Sequence, residues 1–248
     1  AIIALNIMKP IEYKSGYHAG NDDFKPKNRA DAVTQVRAKY SFAAQLKNSM
    51  WNLLGPNQVV SAIIMYFCMK WARPVAPEED LVFTVSAYSL WEFFLLFFVN
   101  DFFLYWGHRI QHQVKTLWEN WHSFHHQIGT PTPVSTIFIN EWDATLQGGM
   151  PILLAGMVVR PHPAMLAIFT AARLAENAFN HSGLDNLCIN ILALRILPFR
   201  AGIDHHDAHH QFSNYGPNAK NFAESFWFWD WIFGTLSPVA TKLRKKVQ

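Results

Sequence analysis

The histidines of this chain are clustered at the spacing of a helical turn. Of the 12 histidines, eight lie in one H-x-x-x-H pair and two H-x-x-H-H triplets: His108, His112, His122, His125, His126, His206, His209 and His210. Residues at i, i+3 and i+4 share one face of a helix, so each cluster presents its imidazoles in one direction. Such clusters are typical of metal ligands, whereas a lone histidine is usually an ordinary core or surface residue.

A ninth candidate donor, His181, ends a long apolar stretch on the side where the other clusters emerge. Asn177 lies one helical turn before His181 and could hold a metal-bound water. One zinc ion uses three or four protein ligands, so about nine imidazoles predict two metal ions. Imidazole binds iron, zinc, copper and nickel, and the ligand type alone does not choose among them.

The composition of the chain favours a membrane protein. Half of the 248 residues are hydrophobic and 16% are charged, against about 25% charged residues in an ordinary soluble domain. The net charge of +3, with no patch that mixes basic and aromatic residues, argues against a nucleic-acid partner. The two cysteines lie far apart in apolar stretches and predict neither a disulfide framework nor a cysteine-type zinc site.

The apolar stretches predict an all-α integral membrane protein with about four transmembrane or membrane-embedded helices in two hairpins. The first hairpin comprises residues 56–72 and 81–106, and the second comprises residues 146–180 with a turn at 160–163. Residues 184–197 are predicted to be a linker, and the aromatic run 222–238 an interfacial helix.

This topology predicts a cytosolic arm over residues 1–55 and a membrane domain over residues 56–248. Both termini and a histidine-rich cap then lie on one side of the bilayer, which the basic ends make cytosolic by the positive-inside rule. Residues 245–248 (K-K-V-Q) are typical of a dilysine retrieval signal for the endoplasmic reticulum, and a solvated or lipid-facing charge run is the alternative.

Asp101 lies two helical turns before His108 and three before His112, on the same helix face. An ionisable group at membrane depth is costly and usually functional. We expect the Asp101 carboxylate to orient an imidazole through its second ring nitrogen. The alternative is a carboxylate at the aqueous end of the helix.

Two metal ions at a membrane surface suit the oxidation of a lipid C–H bond by O2. Iron can do this chemistry, whereas zinc has no redox chemistry. The chain has no H-E-x-x-H motif for zinc hydrolysis and no nucleotide-binding motif, so the electrons must come from another protein.

Five motifs resemble those of the fatty acid hydroxylase/sterol desaturase superfamily of membrane di-iron oxygenases. They are D-F-F-L-Y-W-G-H-R-I-Q-H at 101–112, H-S-F-H-H at 122–126, H-S-G at 181–183, H-H-D-A-H-H at 205–210 and W-D-W-I-F-G-T at 229–235. The resemblance covers about residues 100–238, and within the superfamily the motifs are most similar to those of C4-methylsterol oxidases.

The resemblance implies a membrane hydroxylase/desaturase domain with two iron ions, which zinc can replace, and electrons from NAD(P)H through cytochrome b5 or a reductase. The implied ligands are His108, His112, His122, His125, His126, His181, His206, His209 and His210. His205 is implied as an extra ligand or as a residue that contacts the ligands from outside the metal site. Asp207 is implied as another such outer residue. Residues 130–141 depart from the sterol-oxidase pattern, which leaves the substrate open.

Three hypotheses follow. The first is hydroxylation of a sterol such as a C4-methylsterol. The second is the same chemistry on a fatty-acyl or sphingolipid substrate, with hydroxylation or desaturation as the outcome. The third is a non-catalytic subunit of a membrane complex that keeps the fold, against which the intact histidine clusters argue.

Overall fold

The computed structural model describes residues 39–56, several residues between 58 and 70, and residues 87–237. Across these ranges the regular structure is helical, and extended segments pair only at an isolated bridge between Arg200 and Phe226. The helices are α1 (Phe42–Leu54), α2 (Ala87–Gln113), α3 (Lys115–Leu117), α4 (Ser123–His126), α5 (Glu141–Ala144), α6 (Met150–Val159), α7 (Pro163–Asn180), α8 (Leu187–Leu192), α9 (Ile203–Phe212) and α10 (Trp227–Ile232). The predicted all-α class is confirmed.

Several predicted segments lie outside the described residues. These are most of the N-terminal arm, the break before the second apolar stretch and the basic C-terminal tail with its dilysine motif. The first apolar stretch, residues 56–72, is described only in part.

Helix α2 is the central element. Among the described helices it is the one that is long and apolar enough to cross a membrane, over Tyr88–Gln113. Leu96 and Phe97 of α2 pack in one buried cluster with residues of α6 and α7, and the rings of Phe97 and Phe169 meet edge to face at 5.0 Å. Because α2 continues without a break into the first histidine pair, this packing also positions His108 and His112.

The predicted turn between two apolar helices at residues 160–163 is confirmed. Helix α6 ends at Val159, and the next residue, Arg160, has a left-handed φ of 54°. Helix α7 begins with Pro163, and the backbone N–H of Ala164 donates to Nδ1 of His162. A proline in the first turn and a side-chain cap are the standard helix-start features. The two membrane hairpins and the number of spans stay predictions.

Two segments differ from the expectation. The predicted linker 184–197 contains helix α8, and the predicted interfacial helix 222–238 is helical only over Trp227–Ile232. Phe222, Ala223 and Glu224 are buried and not helical. The prediction of a helix is wrong over residues 222–226, because side-chain carboxylates, rather than helical carbonyls, bind their N–H groups.

Helix α1 buries its polar side and exposes its apolar side. The Asn52 side chain donates to the carbonyls of Ile137 and Ile139, at 3.0 and 2.9 Å. By contrast, Trp51 is 56% and Leu54 73% exposed. Exposed apolar faces of this kind mark contacts with protein or membrane. The outer side of α1, which lies in the predicted cytosolic arm, is therefore apolar, whereas a helix surrounded by water exposes polar side chains.

Candidate metal centre

The structure brings all nine predicted histidines together as two groups. The five-histidine group consists of His108, His112, His122, His126 and His209. The four-histidine group consists of His125, His181, His206 and His210. Within each group the candidate ligand nitrogens lie within 4.8 Å of one another, and eight of the nine residues are buried. Each group combines histidines from different parts of the sequence.

Neighbouring imidazoles face each other through Nε2. The Nε2–Nε2 distance is 3.0 Å for His112 and His122, and 3.1 Å for His206 and His181. Two nitrogens bound to one ion at 2.0–2.1 Å are separated by about 2.9–3.4 Å in octahedral or tetrahedral geometry. The buried Nε2 of His108 has no hydrogen-bond partner. The two donor sets therefore fit two metal ions.

In the five-histidine group, four members are held from behind through Nδ1. His108 contacts the Phe222 carbonyl at 2.8 Å, His112 the Asn214 carbonyl at 3.0 Å, and His209 the Lys220 carbonyl at 2.6 Å. His122 Nδ1 lies 3.0 Å from the Asp143 carboxylate. An Nδ1–H donated to such an oxygen leaves the Nε2 lone pair free for a metal and fixes the ring orientation.

The four-histidine group is held less completely. Nδ1 of His181 contacts the Asn177 carbonyl at 2.9 Å, and Nδ1 of His125 lies 3.4 Å from the Phe138 carbonyl. Nδ1 of His206 and of His210 is buried without a hydrogen-bond partner.

Burial keeps these imidazoles neutral. Desolvation, and secondly the neighbouring His181, lower the pKa of His125 to about 4. Desolvation and then adjacent imidazoles also lower the pKa of His206 and His210 well below the ordinary histidine value. A neutral imidazole is the form that binds a metal, so the groups are in the binding state at neutral pH.

Asp101 does not have the predicted role. Its Oδ1 accepts from the backbone N–H groups of Glu224 and Ser225, at 3.0 and 2.9 Å, and its Oδ2 from that of Phe226, at 2.7 Å. The spacing placed Asp101 on the helix face of His108, but a backbone segment distant in sequence occupies the space in front of the carboxylate. The expected contact with an imidazole is therefore wrong.

The other expected outer partners take different positions. His205 belongs to neither group, and its Nε2 lies 3.0 Å from the Asp230 carboxylate. Asp207 is buried on α9 and accepts from the Gln211 side chain at 3.3 Å. The Oδ1 atom of Asn177 is buried without a hydrogen-bond partner, beside the backbone carbonyl that holds His181.

Two carboxylates were missed by sequence reasoning. Asp143 holds His122 and also accepts from the side chains of Gln111 and Gln147, at 2.8 and 3.1 Å. Asp230 accepts from His205 and from the N–H groups of Phe222 and Ala223. The i, i+4 spacing of Asp143 and Gln147 was the available signal for the first, whereas Asp230 lies within an aromatic run.

Buried ion pairs join helix α7 to the segment around residue 224. Arg173 pairs with Glu224 and, at 3.3 Å, with Glu176, and Arg200 also pairs with Glu176. The Ser225 hydroxyl donates to Glu176 at 2.7 Å. A buried charge is tolerated when it is paired and hydrogen-bonded, so removing one partner would leave another uncompensated.

A cavity of about 1240 Å³ adjoins the four-histidine group, and His125 and His181 form part of its wall. One face of α7 lines it with Pro163, Leu166, Ala167, Thr170, Ala171, Leu174 and Asn177, before His181. At 1.5 Å per residue this face is about 27 Å long. It is mainly apolar up to Leu174 and polar at the histidine end, which suits an elongated, mainly apolar ligand.

The sequence model of the fatty acid hydroxylase family matches residues 93–235. The chain belongs to this family, and the match covers most of α2 and the residues of both histidine groups.

Curated relatives include methylsterol monooxygenases and aldehyde decarbonylases. A methylsterol monooxygenase of Arabidopsis thaliana is 31% identical over 139 residues, which are 56% of this chain and 50% of that protein. A methylsterol monooxygenase of Aspergillus fumigatus is 32% identical over 156 residues, which are 61% of this chain and 49% of that protein. A very-long-chain aldehyde decarbonylase of Oryza sativa subsp. japonica is 30% identical over 139 residues, 56% and 50%.

The chain thus spans about half the length of these relatives. No solved structure matches it.

Proposed function

We propose that this chain is an iron-dependent oxidoreductase that uses O2 to hydroxylate a membrane lipid. The substrate that we propose is a sterol such as a C4-methylsterol. One observation carries the proposal: a long apolar cavity ends at the four-histidine group, and the five-histidine group lies next to that group, with eight of the nine histidines buried. Family membership and the methylsterol monooxygenase relatives support the same reaction class.

The nine histidines are proposed as ligands of two iron ions. Iron bound there would supply the redox chemistry that activates O2, which amino-acid side chains do not provide. The carbonyls of Asn214, Lys220 and Phe222, together with Asp143, hold the imidazoles in the binding tautomer. Asn177 is proposed to hold a water beside His181, and Asp207 to support the imidazoles of α9.

The apolar wall of the cavity binds the body of the lipid and excludes water from the histidines. Leu166, Ala171 and Leu174 supply this wall from α7, and Ile152 supplies it from α6. Burial of apolar surface stabilises binding by about 25 cal/mol per Å².

The chain is proposed to be an integral membrane protein of the endoplasmic reticulum with cytosolic termini and a membrane domain over residues 56–248. Helix α2 crosses the bilayer, and the exposed apolar residues of α1 contact lipid. We propose that electrons come from NAD(P)H through a cytochrome b5-type donor or a reductase, as the resemblance of the histidine motifs implies.

A second substrate class is a long-chain aldehyde or other acyl lipid. The aldehyde decarbonylase of rice is as similar to this chain as the sterol enzymes are, and an acyl chain also fits a cavity face about 27 Å long. The remaining alternative, a non-catalytic subunit of a membrane complex, requires no metal.

The test is metal analysis followed by turnover. Detergent-purified protein is assayed for iron and zinc, reduced under O2 and given either a 4-methylsterol or a very-long-chain aldehyde, with products identified by mass spectrometry. About two irons per chain and a sterol product heavier by one oxygen are expected. Conversion of the aldehyde alone would move the proposal to the second class, and a metal-free chain would favour the non-catalytic subunit.

A further inference from the structure

The cavity contacts the two histidine groups unequally. Of the nine histidines, those in its wall are His125 and His181, and both belong to the four-histidine group. The cavity also reaches Asp143 and Gln147, whose side chains contact Nδ1 of His122 at 3.0 and 2.9 Å. These side chains contact His122 on the ring nitrogen away from His112, so they separate the cavity from the centre of the five-histidine group.

The groups also differ in how firmly their imidazoles are held. In the five-histidine group, Nδ1 is unpartnered only at His126. In the four-histidine group it is unpartnered at both His206 and His210, and the contact of His125 is long at 3.4 Å. A ring without a partner behind it rotates out of position more readily, and losing one such partner typically weakens metal binding about 10–100-fold.

The number of donors points the same way. Five imidazoles around one ion leave little room for another ligand, whereas four leave more. Metal sites that act on substrates keep a coordination position open, and closed sites are structural. The four-histidine group has fewer donors and also faces the cavity, as expected of the ion that acts on a substrate.

We propose that the two metal positions are inequivalent, and that the four-histidine group holds a substrate-facing, more readily released ion. The five-histidine group holds a retained ion that the lipid does not contact. This inference rests on the metal binding proposed above, but it does not depend on which lipid is oxidised.

The test is the time course of metal release. The full chain is loaded anaerobically with iron(II), and an excess of a chromogenic iron(II) chelator reports release. We expect two phases of about one ion each, with rates that differ about 10–100-fold. A saturating 4-methylsterol, or a very-long-chain aldehyde in a parallel sample, is expected to slow the fast phase only.

A variant assigns the phases to the groups. Asp143→Asn weakens the support behind His122 and is expected to accelerate the slow phase about 10–100-fold without changing the fast phase. The matched control is Ala175→Leu, at an exposed position of α7 outside the cavity wall, which is expected to change neither phase.

Release of both ions in one phase would overturn the inference, as would the absence of protection by either lipid. It would also fail if Asp143→Asn accelerated the phase that a lipid slows. Lipid protection is measured on the unaltered chain, so this result stands even if Asp143→Asn does not fold. Two phases with selective protection but no oxidised product would overturn only the proposed reaction, whereas a chain that binds no iron would overturn both proposals.

Discussion

Helix α7 and the non-helical segment 219–226 both lie against the histidines, but they use their backbones differently. The backbone of α7 is occupied by its own helical hydrogen bonds up to its last turn, so its side chains form the cavity wall and the ion pairs. The carbonyls of the segment 219–226 are not used in a helix, and those of Lys220 and Phe222 contact Nδ1 of His209 and His108. The N–H groups of residues 222–226 are bound by Asp101 and Asp230.

This difference explains why an irregular segment is buried beside the histidines. Buried backbone groups must be paired, and here two carboxylates bind the donors while the imidazoles use the acceptors. The segment therefore determines the orientation of histidines, and α7 determines the space in front of them. Changes in the two regions should have separable effects.

The largest effect is expected from His181→Ala, at the end of α7. The substitution removes a proposed ligand of the four-histidine group, so one ion per chain should be lost and turnover should fall more than about 100-fold. Metal analysis and product formation check this result. Glu119→Gln, an exposed side chain paired with Lys115, should leave both unchanged. Loss of both ions in His181→Ala would show that the groups are not independent.

The next effect is expected from Asp101→Asn, which acts on the segment. The asparagine amide would face the N–H of Phe226, so at least one buried charge-assisted hydrogen bond is lost, at a cost of about 2–3 kcal/mol in the free energy of unfolding. Thermal unfolding of the purified protein measures this change. Asp143→Asn touches an imidazole and no backbone N–H of the segment, so its effect on stability should be smaller. If Asp101→Asn unfolded at the same temperature as the unaltered chain, the Asp101 carboxylate would not stabilise the segment as described.

A smaller effect is expected from His205→Ala. His205 contacts Asp230 but belongs to neither group, so the chain should keep both ions and lose about 1–3 kcal/mol of stability through the loss of one buried hydrogen bond to the Asp230 carboxylate. Iron content and thermal unfolding are measured together. His206→Ala, one residue further, should lose one ion. If His205→Ala also lost an ion, His205 would have to be counted as a ligand.

The smallest effect is expected from Ala171→Leu on the cavity face of α7. The added side chain occupies space needed by the lipid, so KM for a 4-methylsterol should rise about tenfold while both ions remain bound. Ala175→Leu, one turn away and outside the wall, is the matched control. Equal KM values for the two variants would place the lipid elsewhere.

Some of these features follow from the sequence itself. The apolar run that continues into His108 and His112 predicted a helix reaching the site, because no proline separates them. Pro161 and Pro163 predicted the break between α6 and α7, since proline is compatible with a helix start and not with a helix interior. Helical spacing identified eight of the nine histidines that the structure assembles, the position of His181 at the end of an apolar stretch identified the ninth, and the motifs predicted the family.

The tertiary structure decided how these histidines are divided and held. His125 and His126 are adjacent in sequence but lie in different groups, because neighbouring residues of a helix point about 100° apart. The anchors of His108 and His112 come from carbonyls more than a hundred residues away, and periodicity contains no information about such contacts. The partners of Asp101 were likewise decided by the buried segment 224–226, whose need to pair its N–H groups becomes apparent only when the chain is folded.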